Sequence, residues 1–208
     1  LNPPQREAIH HLDGPLLVLA GAGSGKTRVI THKIAYLIEE CEVKPAHIAA
    51  ITFTNKAARE MQERIAKLMP DRSLKGLTVS TFHSLGARIV RQEAKLCELK
   101  PGFSILDSGD CTRIITDLLA TADKAQIRAV QSRISMWKNN LNEPEQAIEA
   151  AQDALELAAA HLYVEYERTL RAYQAVDFDD LIRLPVLLFD REPEALGRWQ
   201  GRLRYLLV

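Results

Sequence analysis

An apolar run, PLLVLA (Pro15 to Ala20), stops at a glycine-punctuated loop, AGAGSGKT (Ala20 to Thr27), and a 3.6-residue apolar periodicity then runs from Lys26 to Glu40. The order reads as buried strand, tight loop, helix. The loop fits the relaxed form [AG]xxxxGK[ST], with Ala20 where glycine is more usual, so the first position is still small enough for a tight turn. In such a loop, Ala20, Gly21, Ala22, Gly23, Ser24 and Gly25 turn successive backbone N–H groups inward ahead of a helix N-terminus, which makes a concave anion site. The ammonium of Lys26 then reaches the β- and γ-phosphates, and the hydroxyl of Thr27 is offered to Mg²⁺. The plain alternative is a glycine-rich turn that happens to contain Lys-Thr. A buried-type strand, three loop glycines and the Lys-Thr pair in one register favour the phosphate site, with a nucleotide and Mg²⁺ as its ligands.

Composition narrows the class. The 208 residues carry 47% hydrophobic and 26% charged residues, ordinary for a soluble globular protein. The sequence contains no membrane-length apolar run and no signal-peptide pattern at its start, so no membrane partner is expected and a cytoplasmic location is the default. Cys41, Cys97 and Cys111 are widely spaced, with no CxxC pair, and read as reduced, partly buried thiols; the scattered histidines give no zinc spacing. Lys plus Arg and Asp plus Glu balance at 27 each, which argues against coating nucleic acid by bulk charge. From Ile51 to Lys100, however, ten basic residues face five acidic ones, leaving room for a local basic groove.

Four segments read as buried parallel strands: Pro15 to Ala20, Ile48 to Phe53, Leu77 to Thr81 and Leu203 to Val208. Helical patterns at Lys26 to Glu40 and Asn55 to Leu68 separate the first three, giving βαβαβ. From about Ser84 to Asp190 the pattern is helical almost throughout. Asp107 or Ser108 caps one helix near Gly109, Trp137 lies late in another, and Asn142-Glu143-Pro144 breaks the chain before an alanine-rich helix, Glu145 to Ala160. The expected fold is α/β: a P-loop NTPase parallel sheet formed by residues 1–83 and 191–208, which the resemblance described next makes RecA-like, with an inserted all-helical subdomain at 84–190.

The ordered set of Gln5, AGAGSGKTR, ITFTNKAAREM, STFHSLG, VDFDDLI and RYLLV resembles, along essentially the whole chain, the N-terminal part of superfamily-one DNA helicases of the Rep, UvrD and PcrA kind, Rep being nearest in wording. The resemblance implies that Gln5, in an NPxQ start, reads the adenine edge, which suits an amide that donates and accepts at once. It also places Arg28 near the nucleotide. A surface glutamine and a solvated arginine are the plain alternatives.

By the same resemblance, ITFTNKAA lines a single-stranded DNA path: Phe53 offers a flat face to a base, and Thr52, Thr54 and Asn55 donate to phosphates or bases. The alternative for Phe53 is the last core residue of its strand. STFHSLG is implied to touch the DNA backbone through Thr81, His83 and Ser84, with Phe82 in the core and His83 a donor without catalytic partners. Asp177, Asp179 and Asp180 could hold Mg²⁺ weakly, but capping or packing at the edge between the subdomains is the favoured reading.

In the family the strand resembling RYLLV runs into Asp-Glu, which hold Mg²⁺ and orient the attacking water, and arginines from a second RecA-like domain complete the site. The expectation is therefore a fragment of an ATP-dependent 3′ to 5′ helicase, able to bind nucleotide, single-stranded DNA and ss/ds DNA junctions but not to sustain hydrolysis without the C-terminal RecA-like domain of the same protein. Two other classes stay open: a nucleotide switch or small-molecule kinase, and a DNA-binding module with a vestigial loop.

Overall fold

The run IAAIT is apolar enough to be covered on both faces, and in the computed structural model, which describes all residues from Leu1 to Val208, it forms the central strand of a parallel sheet. In chain order the elements are α1 (Pro3–His10), α2 (Lys26–Glu39), β1 (Ile48–Thr52), α3 (Asn55–Leu68), β2 (Thr78–Thr81), α4 (Phe82–Gln92), β3 (Ser104–Ile105), α5 (Ser108–Leu119), α6 (Lys124–Asn139), α7 (Pro144–Glu149), α8 (Ala154–Ala172), β4 (Ala175–Val176), α9 (Asp180–Arg191), α10 (Pro193–Arg202) and β5 (Tyr205–Leu207). The chain divides into two compact units, residues 1–82 with 197–208, and residues 83–196.

In the first unit the sheet order is β2-β1-β5. Ala50 of β1 lies between Val79 and Leu207 in the parallel registers. The sheet's core joins Ile48, Ala50 and Val79 to Ile34 and Leu37 of α2 and to Met61 and Ile65 of α3. Lys33 of α2 donates its ammonium to the Ala8 and His11 carbonyls, tying the end of α1 to α2.

Pro15 to Ala20 does not form the expected strand. A strand exists through its ladder partners, and the ladder ends at β5. Leu16 and Val18 line a cavity of about 370 Å³ with Val29, Ile30 and Leu206, whereas Leu17 and Leu19, on the opposite side of the alternation, are 82% and 88% exposed. The apolar run is thus only partly covered at Leu16 and Val18, 46% and 48% exposed, and bare at Leu17 and Leu19.

The second unit is mainly helical but not wholly so, because β3 and β4 pair in parallel through Ser104–Ala175 and Ile105–Val176. Its larger core gathers Ile114 and Ile115 of α5, Ile127 and Ile134 of α6 and Tyr163 and Tyr166 of α8, with Trp137 stacked on Tyr163 at 5.8 Å. Asp107 caps α5 in a reciprocal box with Asp110. The single helix expected over Glu145 to Ala160 is two, α7 and α8. Asp153 divides them: its carboxylate accepts from the Glu156 N–H, and a side chain that satisfies free helix-start donors begins a new helix instead of continuing the old one.

Leu141 ends α6 in a left-handed conformation, φ 60°, with its own N–H bonded to the Lys138 carbonyl and that of Asn142 to Trp137. This is a Schellman turn with leucine where glycine is favoured. Leu141→Gly is expected to raise stability by about 0.5 kcal/mol, the relief of left-handed strain exceeding the added unfolded-state entropy. A shift of the urea midpoint checks it, and a lower midpoint would contradict it.

Candidate functional site

Gly25 is the N-cap of α2 and, at φ 86°, takes a conformation that favours glycine; no side chain caps this helix. The first-turn N–H groups of α2 therefore lie behind the glycine-rich loop without a protein acceptor from a capping residue. The loop's carbonyls are held from several directions. Lys26 folds back so that Nζ donates to Ala20 O at 3.0 Å and Gly21 O at 2.7 Å. Ser24 Oγ also donates to Gly21 O, at 2.7 Å, and Gln5 Nε2 donates to Ser24 O at 2.9 Å. Thr27 sits half-buried in the first turn of α2, and Ala22 and Arg28 are exposed. The structure thus brings Gln5 and Ala20 to Thr27 together around one loop. Arranged in this way, the loop offers a cation, a hydroxyl and an uncapped helix start to an anion.

Sequence reading missed the local device that positions Gln5. Asn2 Oδ1 accepts from the Gln5 N–H and Gln5 Oε1 accepts from the Asn2 N–H, each at 2.9 Å, a reciprocal capping box at the start of α1. Its signal was present in the spacing Asn-x-x-Gln.

At the carboxyl end of β1 the burial pattern breaks. Ile48 to Ile51 are no more than 1% exposed, whereas Phe53 is 82% exposed. Its ring lies 5.6 Å from that of Phe82, which is half-buried beneath it and belongs to no core cluster, contrary to the core placement expected for Phe82. Thr54 caps α3 by accepting the Ala57 N–H at 3.1 Å, which leaves its own O–H free to donate elsewhere. Asn55 is exposed in the first helical position and Thr52 is half-buried. Thr81 differs from these: it is buried at the end of β2.

On the helical unit, His83 and Ser84 are exposed in the first turn of α4. The His83 ring meets the edge of the half-exposed Phe178 ring at 5.9 Å.

A family model for the UvrD/REP helicase N-terminal domain matches residues 1–208. The chain belongs to that family. It is 47% identical over 211 residues to the ATP-dependent DNA helicase Rep of Escherichia coli (strain K12), which it matches over its full length and over 31% of that relative. It is 43% identical over 212 residues to the ATP-dependent DNA helicase PcrA of Bacillus subtilis (strain 168), covering 29% of it, and equally similar to PcrA of Staphylococcus aureus (strain Mu50 / ATCC 700699). The chain spans about a third of the length of these curated relatives.

In this UvrD/REP-type domain two of the three aspartates of VDFDD are buried, so the run is not an exposed metal cradle. Asp177 and Asp180 are buried inside the helical unit around Lys138, whose side chain is fully buried. Lys138 Nζ lies 2.8 Å from Asp177 Oδ2, 3.0 Å from Asp180 Oδ2 and 2.7 Å from Glu167 Oε1. Arg183 joins Asp180 and Glu167 at 3.3 Å each and Glu143 at 2.7 Å, and Tyr166 donates to Asp177 at 2.9 Å. Asp177 and Asp180 also bond each other's backbone N–H, a reciprocal cap at the start of α9. Asp179 stays at the margin, accepting from Asn139 at 3.1 Å.

The charges in this cluster do not balance. Two buried cations, Lys138 and Arg183, face four carboxylates, those of Asp177, Asp180, Glu167 and Glu143, and the exposed Arg191 reaches only the last of them. Burial pushes the Asp180 carboxyl up to about 6, against the pull of Lys138 and with the neighbouring Asp177 and Glu167 charges adding to it. Burial alone would also raise Asp177, but Lys138 and the hydrogen bonds it accepts hold that carboxyl below its ordinary value. Burial would lower Lys138, and the three carboxylates outweigh it and keep the ammonium charged. Sequence reading missed Lys138 because a lysine near the end of a helix is ordinarily solvated.

Proposed function

We propose that this chain is the nucleotide- and single-stranded-DNA-gripping part of an ATP-dependent 3′ to 5′ DNA helicase, a cytoplasmic enzyme of replication or repair. The observation that carries the reading is Phe53: an aromatic side chain 82% exposed at the end of an otherwise buried strand has a face to give to a base. Thr52, Thr54 and Asn55 around it donate to the backbone or bases of the strand. Thr81, being buried, serves as support beneath the path and not as a contact, while His83 and Ser84 offer donors from the helical unit.

The phosphate loop supplies the ATP site. On this reading the carbonyl-bound ammonium of Lys26 transfers to the β- and γ-phosphates, the N–H groups of Gly21 to Gly25 hold their oxygens, and Gln5 and Arg28 lie on the adenine and phosphate sides. Mg²⁺ bound with the triphosphate would neutralise part of its charge. Thr27, half-buried in the first turn of α2 directly after Lys26, would offer such an ion its hydroxyl beside the phosphates. The first unit corresponds to one RecA-like half, with the helical unit inserted in it. On this reading hydrolysis also draws on acids that activate water and on arginines of a second RecA-like domain. Closure of two such halves on ATP and reopening after hydrolysis would move the parent along one strand toward an ss/ds junction.

Fluorescence anisotropy of a labelled oligothymidine at two salt concentrations tests the DNA part. Binding weakened by added salt, and weakened about tenfold by Phe53→Ala, is expected from the loss of one stacked base and of phosphate contacts. Because Phe53 is exposed, the substitution leaves the thermal midpoint near wild type. Equal affinity for wild type and variant would contradict the reading.

A further inference from the structure

Gln5 spends both ends of its amide inside the protein. Oε1 takes the Asn2 N–H and Nε2 donates to the Ser24 carbonyl, so reversing the amide would set oxygen against oxygen and N–H against N–H. The orientation is therefore fixed by its partners, and the bond to Ser24 joins two segments nineteen residues apart. The loop it reaches has little packing to fix it, and its other side-chain bonds come from its own Ser24 and from Lys26. A Cβ placed at Gly21 or Gly23 would meet nothing within 4 Å, whereas one at Gly25 would lie 3.2 Å from Gln5 Nε2. Hydrogen bonds, not packing, set the loop's shape, and Gln5 is the side chain that touches it from outside.

From this geometry we infer that Gln5 is a positioning residue for the phosphate site, its amide a strut from α1 to the loop, in addition to any contact with the base. The peptide unit is planar and trans, so its C=O and N–H point in opposite directions. Holding the Ser24 carbonyl toward Gln5 therefore directs the Gly25 N–H away from Gln5, and it fixes one donor of the cradle before an anion arrives. Without the strut that peptide plane is free to rotate about the Ser24 Cα–C and Gly25 N–Cα bonds, the second belonging to a glycine at φ 86°. A rotated plane would present a carbonyl oxygen to a phosphate. The amide keeps one further N–H and one further lone pair, so occupation by a base does not require the strut to break. Adenine contact and phosphate-loop shape are thereby linked through one side chain.

The inference rests on the phosphate-loop reading above, and inorganic tripolyphosphate separates the two because it has no base. Titration calorimetry of tripolyphosphate with Mg²⁺ into the 208-residue chain is expected to show binding that Gln5→Ala weakens by about three- to tenfold, the effect of one lost hydrogen bond on a preorganised site. Asn2→Ala removes the side-chain cap of α1 but keeps both bonds of the Gln5 amide, from the residue 2 backbone N–H and to the Ser24 carbonyl, and is expected to leave tripolyphosphate affinity within about twofold. If Gln5→Ala weakens ATP but leaves tripolyphosphate unchanged, Gln5 is a base reader only and the strut is overturned. If Asn2→Ala weakens tripolyphosphate as much as Gln5→Ala, the effect belongs to the folding of α1 and the strut is again overturned. Absence of tripolyphosphate binding by the wild type would overturn the phosphate-loop reading itself, and the strut with it.

Discussion

Lys138→Ala is expected to destabilise the helical unit by about 3–5 kcal/mol, the typical result of removing one partner from a buried ionic cluster. The ammonium is fully buried and answers three carboxylates within 3.0 Å. Its removal leaves Asp177, Asp180 and Glu167 facing one another with Arg183 as the remaining cation. The cost depends on pH with a definite sign. In the variant these carboxyls hold protons in the fold that the unfolded chain has already released above about pH 4, so the deficit relative to wild type grows as pH rises from about 4 to 8. The wild type carries a weaker form of the same dependence. Asp180, raised to about 6, favours the fold below that pH and loses that contribution as pH rises through it. Asp177, held below its ordinary value, works in the opposite direction and contributes stability that is lost only at the acid end. Urea denaturation of wild type and variant at pH 5 and pH 8 checks this. An equal deficit at both, or one under about 1 kcal/mol, would mean that the cluster is not charged as described.

Gly86→Ala is the second large effect, and its sign opposes the usual one. In an exposed helix, alanine is better than glycine by about 1 kcal/mol. Gly86 is buried in α4, and a Cβ there would lie 1.7 Å from the Leu181 carbonyl oxygen and 2.8 Å from its carbon. Both are backbone atoms at the start of α9, so relief requires moving a helix instead of a side-chain tip. A loss of about 3 kcal/mol or more is expected. Gly197, within α10, has nothing within 4 Å of a Cβ, and Gly197→Ala should stabilise by about 0.5–1 kcal/mol. Thermal or urea midpoints moving in opposite directions would bear this out. A neutral Gly86→Ala would show that α4 and α9 do not approach as closely as they do here.

The parts of the fold legible in the sequence were those set by local rules. IAAIT reads as a covered strand because it is apolar throughout, and α3 begins at Asn55 because Thr54 can cap it. Pro15 to Ala20 fails the same rule: an apolar run states that it can be covered, not that β5 will be its partner or that anything will lie over Leu17 and Leu19. The turn into α2 was legible through its glycines, Gly25 taking φ 86° directly before Lys26. Its connection to Gln5 was only half legible, because the capping box is local while the bond to Ser24 depends on how α1 folds back. Lys138 and the VDFDD carboxylates were illegible as a unit, being spread over α6, α8 and α9 and recognisable as buried only after packing. STFHSLG carries a structural demand as well as a polar one, in that Gly86 is required by the Leu181 backbone.

The central claim is that Ala20 to Thr27 holds the phosphates of a nucleotide and that Lys26 provides the charge. Titration calorimetry of Mg-ATP into the wild-type chain and into Lys26→Ala tests it most directly. Saturable one-to-one binding by the wild type, weakened by about tenfold or more in the variant as expected for a hydrogen bond from a charged donor, is the predicted result. Equal affinity in the two proteins, with Lys26→Ala folded as the wild type is, would contradict it.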